Sequence, residues 1–219
     1  KNTARPTAAA GGGAMNFQFR DSDGKPVLDA GLDRAARTDM KAAAPDMHLQ
    51  ITTEAYGRYS PAEMRAVVRD VMPPGVSIGV KEMMPERKPS AEDVAFYQWL
   101  DGTGIQLQNI CYAPDDINLL RDLAVAANLS LDRSWILFVI GHYTTGIDSG
   151  PKGIAPFLDR MRALRSVPFG FVEARHLGQI NGMGCVDVIQ HVLHPVIETL
   201  GPDDFVVAAH VHDECRDMA

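Results

Sequence analysis

An α/β chain built on a parallel sheet, of the (β/α)8 TIM-barrel type, is what the sequence predicts. Three observations predict it. Short apolar or β-branched runs begin at residues 15, 47, 76, 105, 136, 167 and 205, mostly about thirty residues apart, the length of a strand–helix–strand unit. Helical patterns fill most of the intervals between them. Polar groups gather at the C-terminal ends of almost every run: Arg20 and Asp21; Thr52, Thr53 and Glu54; Lys81 and Glu82; Asn109 and Tyr112; His142 and Tyr143; Glu173, Arg175 and His176; His210, His212, Asp213 and Glu214. A barrel brings all such ends to one face. An open doubly wound sheet gathers only those at its switch point, so the spread favours the barrel. A strand end is also polar simply because it meets solvent. Seven runs are one short of closing a barrel, which reads as an incomplete one.

In chain order, residues 1–14, "KNTARPTAAAGGGA", read as a flexible Ala/Gly-rich leader without the continuous apolar core of a signal peptide. There is no initiator Met, which fits a leader or a fragment. Residues 15–219 read as one partial barrel domain. "MNFQFR" alternates Phe17 and Phe19 with Asn16, Gln18 and Arg20, a period of two. A polar turn and the approach to a helix follow, up to Asp29. "MHLQITT" from Met47 is the second run. "SPAEMRAVVRDVM" opens with Ser60 as N-cap, Pro61 in the first turn and Glu63 three residues on, a capping box. After "VSIGVK" from Val76, "SAEDVAFYQWLDGTG" repeats the device with Ser90 and Asp93 and stops at Gly102 and Gly104. "IQLQNIC" from Ile105 leads to the helix "APDDINLLRDLAVAANL", and "ILFVIGH" from Ile136 to "GIAPFLDRMRALRS". "VPFGFV" from Val167 and "FVVAAHV" from Phe205 complete the set.

Composition narrows the function. With 46% hydrophobic residues the chain can bury a sizeable core. A net charge of −7 argues against a general nucleic-acid binder, and no run is long and apolar enough for a membrane span. Cys111, Cys185 and Cys215 have no C-x-x-C spacing and read as reduced thiols of a cytoplasmic protein.

Few local motifs carry chemistry. "GHYTTG" at 141–146 has the frame of a phosphate loop but lacks the Lys-Ser/Thr that would complete it. "NGMGC" is too short for a dinucleotide fingerprint. His191 and His194 share a helix face, but an outer barrel helix faces away from the site. "AHVHDE" at 209–214 is the sharpest metal signal. His210, His212 and Glu214 alternate along a strand, and two imidazoles with one carboxylate are a common divalent-metal set.

The segments "FRDSDGKPVLD", "QITTEAYGRYSPAEM", "VSIGVKEMMP", "IQLQNICYAPDDINLL" and "ILFVIGHY", in this order and spacing, resemble the β-keto acid cleavage enzymes, the 3-keto-5-aminohexanoate cleavage family. The resemblance runs from Phe17 to about Leu164. It implies a (β/α)8 barrel, often a homo-oligomer, and a retro-Claisen type exchange in which a β-keto acid and acetyl-CoA give acetoacetate and a new acyl-CoA. It implies zinc or another divalent metal as Lewis acid and a carboxylate base. The implied partners are a small β-keto acid and a CoA ester, with no nucleic acid and no membrane.

By position, the resemblance assigns Arg20, Asp21 and Glu82 to catalysis and Thr52, Thr53, Glu54 and Gln108 to substrate binding. Gln108 stands near a Glu of some relatives. The family's strand before R-D-x-D-G ends in a metal-binding His-x-His, matched here to Phe17 and Phe19. The first strand and helix of the family, and its late Arg-x-Gly-x-Glu-Asp/Asn pattern, have no counterpart. Two expectations follow. One is an active carbon–carbon bond cleaving acyltransferase, with His210, His212 and Glu214 as a relocated metal site. The other is a non-catalytic or degenerate relative that binds a small carboxylate or CoA ester. A truncated chain with unpaired strand edges is a third reading.

Overall fold

The computed structural model describes residues 14–54, 56–130, 135–140, 153, 155–163, 171–176 and 206–211. The chain divides into two compact units, Lys1–Gln108 and Asn109–Ala219.

In the first unit, β1 (Ala14–Phe17), β4 (His48–Thr52) and β5 (Gly75–Gly79) lie parallel in that order. Met15 pairs with Leu49 and Phe17 with Ile51, and Thr52 pairs with Ser77. The period of two then sorts the faces. Met15, Phe17, Leu49, Ile51, Val76 and Ile78 share one face. Asn16, His48, Gln50, Thr52 and Ser77 share the other. On the apolar face, Met15 and Phe17 pack with Met40 and Ala43 against a cluster of Ala44, Met47 and Leu49. Met40 and Ala43 belong to α1 (Ala30–Ala43), whose N-cap Asp29 accepts from Leu32 N.

Four predicted helices are present, and the one carrying His191 and His194 lies outside the described residues. α2 (Pro61–Val71) carries the Ser60–Glu63 capping box and ends at Met72 in the left-handed region. α4 (Ala91–Thr103) carries the Ser90–Asp93 box and ends at Gly104, whose φ of 74° suits glycine. The two helices are joined by an ion pair from Arg65 to Asp93 at 2.7 Å, both nearly buried. Arg69 lies over the rings of Phe96 and Trp99 at 5.3 and 5.4 Å.

Three features depart from the sequence reading. The first run does not continue to a helix directly. It breaks at Gln18 and forms a small hairpin, β2 (Phe19–Arg20) against β3 (Pro26–Val27). The run at Val76 ends early at Gly79, and Lys81 and Glu82 fall in a single helical turn, α3 (Val80–Met83). The run predicted from Val167 appears as β8 (Phe171–His176), so Glu173 and Arg175 are inside the strand rather than past its end.

β6 (Gln106–Cys111) carries the boundary between the units. In the second unit, α5 (Pro114–Ala127) and α6 (Ala155–Ala163) are linked by Arg160 and Asp115 at 3.0 Å. The strands β7 (Trp135–Ile140), β8 and β9 (Val206–Val211) are parallel in that order. Ile110, Tyr112, Leu137 and Val139 form a core cluster, and Phe138 packs on Phe157 at 4.8 Å between centroids. Both units are thus built of parallel strands connected through helices. Among the described residues, no helix is long and apolar enough to cross a membrane.

Candidate functional site

Parallel strands end together, so β1, β4 and β5 present their C-terminal ends on one side of the first unit. The polar face is most crowded there. Asn16 Nδ2 donates to Ser77 Oγ at 3.2 Å. Gln18 Nε2 donates to the carbonyl oxygen of Glu54. Thr52 Oγ1 accepts from Glu54 N at 3.1 Å. Thr52 and Ser77 are buried, Gln18 and Glu54 half-buried, and Asn16 exposed. The result is a cluster of amides and hydroxyls beside Glu54, with an open side at Asn16.

Deeper on the same face, Gln50 Nε2 donates to Gln108 Oε1 at 2.9 Å, and both side chains are buried. Gln50 Oε1 is buried with no hydrogen-bond partner among the described residues. That orphan acceptor can hold a water or a ligand hydroxyl or N–H. At the opposite end of β4, His48 lies against Gly75. A Cβ at position 75 would come within 2.7 Å of His48 Nε2. Burial, with Lys41 nearby, pushes the His48 imidazole below its usual value, so it is neutral at neutral pH.

The R-D-x-D-G segment has a clear structural task. Asp21 N donates to Lys25 O, and Gly24 N to Asp21 O, both at 2.9 Å. Gly24 has a φ of 74°, which the turn requires. Asp21 Oδ1 accepts from Asp23 N and Lys25 N, while Oδ2 accepts from Arg58 at 2.6 Å. The backbone donation from Lys25 and the Arg58 contact hold the Asp21 carboxyl below its ordinary value. Arg20 donates to Gly24 O at 2.8 Å. Arg20 and Asp21 therefore both brace the hairpin that follows β1.

Of the other sequence candidates, Thr53 lies on the helix side, its N–H on Ser77 O at 3.0 Å. Glu54 belongs to the strand-end cluster, and Gln108 to the deeper amide pair. Glu82 is half-buried in α3, directly after β5. The structure thus brings Thr52 and Glu54 together, with Glu82 following the neighbouring strand. His210 lies in β9. His212 and Glu214 lie outside the described residues, as do Cys185 and Cys215; Cys111 is buried and in no disulfide.

The sequence reading missed Asn16, Gln18, Gln50 and Ser77. It matched Phe17 and Phe19 to the family's metal-binding positions, and the structure shows how those two rings are used. Phe17 is on the apolar face against the α1 cluster, and Phe19 stacks edge-on to it at 6.0 Å. The side chain that β1 presents to the polar face is Asn16, and Gln18 follows just past the strand's end with its amide on the Glu54 carbonyl. The alternation of polar and aromatic residues already separates the two sets, without saying which of them faces the helices.

A scan of family profiles matches residues 2–174 to the beta-keto acid cleavage enzyme family. The chain belongs to that family. No curated protein matches it. Among solved structures, a dihydrodipicolinate synthase from Rhodopseudomonas palustris aligns with 14% identity and a TM-score of 0.39. The alignment covers 74% of this chain and 62% of that one, so the chain spans less than two thirds of its length.

The zinc or other divalent metal that the family implies can be tested against the donor set. Imidazole, thiolate and carboxylate are the groups that hold such ions. Apart from Glu54, the strand-end face offers carboxamides and hydroxyls, and the Asn16 and Gln18 amides turn their nitrogens inward as donors. Among the described residues no group of three or more His, Cys, Asp or Glu is gathered closely enough for a metal ion. The residues at this face do not fit the metal.

Proposed function

We propose that the chain acts on a small β-keto acid at the C-terminal ends of β1, β4 and β5. The carrying observation is the convergence of Asn16, Gln18, Thr52 and Ser77 at that end, in a chain matched to the family over residues 2–174. Amide and hydroxyl donors suit carboxylate and keto oxygens. The reaction is the retro-Claisen exchange of the family. A β-keto acid and acetyl-CoA give acetoacetate and a new acyl-CoA, so one carbon–carbon bond is cut, another is formed, and the acyl group ends on sulfur.

Glu82 is the candidate acid–base group. It stands immediately after β5, and a carboxylate there has the chemistry to take a proton from carbon. Thr52 and Glu54 belong to the substrate end, and Gln108 to its floor. Acetyl-CoA as co-substrate, a homo-oligomeric assembly and a single (β/α)8-type barrel over residues 15–219 complete this reading, with the family match as their support. His210, His212 and Glu214 remain a proposed second metal set from the sequence pattern alone.

The test is mass-spectrometric detection of acetoacetate and a new acyl-CoA from a panel of β-keto acids with acetyl-CoA. Turnover that falls at least about 100-fold in Glu82→Gln supports the reading, the scale general acid–base catalysis supplies. A second reading is favoured by one observation: the strand-end face is lined mainly by amides and hydroxyls, Asn16, Gln18, Thr52 and Ser77. It makes the chain a non-catalytic binder of small carboxylates. Binding of acetoacetate without turnover supports it.

A further inference from the structure

We propose that in this chain the carboxamides of Asn16 and Gln18 take the place of a metal, and that their N–H groups grip the ligand's oxygen directly. The inference rests on the reading of this face as a β-keto acid site. Its support is geometric. β1 directs Asn16 to the polar face, Gln18 just past its end reaches the Glu54 carbonyl at the end of β4, and Phe17 packs against the core cluster. Each amide nitrogen is already oriented by one acceptor, Ser77 Oγ for Asn16 and the Glu54 carbonyl for Gln18. A carboxamide has two N–H donors, so one on each residue remains for a ligand oxygen. The exposed position of Asn16 leaves it open to an incoming molecule.

The chemistry differs from that of a metal. A divalent ion stabilises an oxyanion by full charge. Two neutral N–H groups bind a carboxylate or keto oxygen by hydrogen bonds and favour developing negative charge in the manner of an oxyanion hole. Neither needs a proton or an electron from outside. Ligand binding at this face is therefore indifferent to chelators and selective for compounds with closely spaced oxygen acceptors.

The experiment has two independent readouts on the full chain. The first is zinc content by elemental analysis after dialysis against zinc and then against buffer. The second is acetoacetate affinity by calorimetry, with and without a chelator, for the natural chain and for Asn16→Leu and Gln18→Leu. The expected result is that zinc retention is the same in all three proteins, acetoacetate binding is unchanged by chelator, and each variant binds about 10-fold more weakly, the cost of a hydrogen bond. Circular dichroism checks that the variants are folded. Stoichiometric zinc that either variant releases overturns the proposal. So does acetoacetate binding that both variants keep in full. If no protein binds acetoacetate while zinc retention is the same in all three, the keto acid reading fails and the metal-replacing role of the amides fails as ligand binding. Zinc released by a variant, with acetoacetate still bound, fails this proposal alone.

Discussion

Asp33 should weaken the protein at neutral pH, and removing its charge should strengthen it. The residue sits in the first turn of α1, buried, its N–H on the Asp29 carbonyl at 3.0 Å. Burial, and then the neighbouring Asp29 carboxylate, push its carboxyl from 3.8 to about 6, against the opposing pull of Arg34 and Arg37. A raised value in the folded state means that Asp33 contributes stability fully below its unfolded value and loses it as the pH rises through the folded one. A rise of about two units corresponds to about 3 kcal/mol. Replacing Asp33 by Asn removes that penalty but also a carboxylate near a helix N-terminus, which is worth up to about 1 kcal/mol. The net gain is about 2 kcal/mol, or roughly 4–8 °C in Tm for a chain of this size. Thermal unfolding of both proteins across the acid range is the assay. The gap between them should be near zero or slightly negative at the unfolded value, open as the pH rises, and level off above about pH 6. A gap of the same size at every pH, or a variant less stable at neutral pH, refutes the reasoning.

Other consequences follow from the same contacts. Asp93→Ala removes both the Ser90 cap and the nearly buried partner of Arg65; it should cost about 3 kcal/mol or more in denaturant unfolding, the usual loss when one half of a buried pair is left. Gly75→Ala should cost about 1–2 kcal/mol because the new Cβ meets His48 Nε2, and His48→Ala in the same chain should restore most of it, read as a double-mutant cycle. The lowered Asp21 carboxyl has the opposite sign to Asp33: its contribution is present above the ordinary value and lost as the pH falls through the folded one. Asp21→Asn should therefore lose stability at neutral pH and converge on the natural chain in acid, measured by Tm.

The parallel strands and their capped helices were legible because the signals are local. Ser60 with Glu63 and Ser90 with Asp93 announce their helices within four residues, and both boxes are formed. The hairpin at Arg20–Pro26 was less visible. Its driving contacts are the Asp21 turn and the distant Arg58, which no local pattern joins. The split at Gly79 was hidden because the alternation of "VSIGVK" runs on through Val80 and Lys81, so nothing in the pattern marks where strand becomes helix.

The face of β1 was the decisive ambiguity. A period of two says that Phe17 and Asn16 point apart, but not which faces the helices. In a parallel sheet both faces are buried, so an aromatic side chain fits either. Register with β4 and the packing of Phe17 against the Met47–Leu49 cluster resolve it. The candidate site then changes from two rings without lone pairs to two amides with donors.

The most direct test of the keto acid reading is a turnover measurement in the presence of a chelator, with acetyl-CoA and each of a set of β-keto acids, following acetoacetate and the new acyl-CoA by mass spectrometry. The reading predicts product from the natural chain, undiminished by the chelator, and a marked loss in a chain carrying both Asn16→Leu and Gln18→Leu. No product with any β-keto acid contradicts it, and product that appears only when zinc is restored contradicts the replacement of the metal by the two amides.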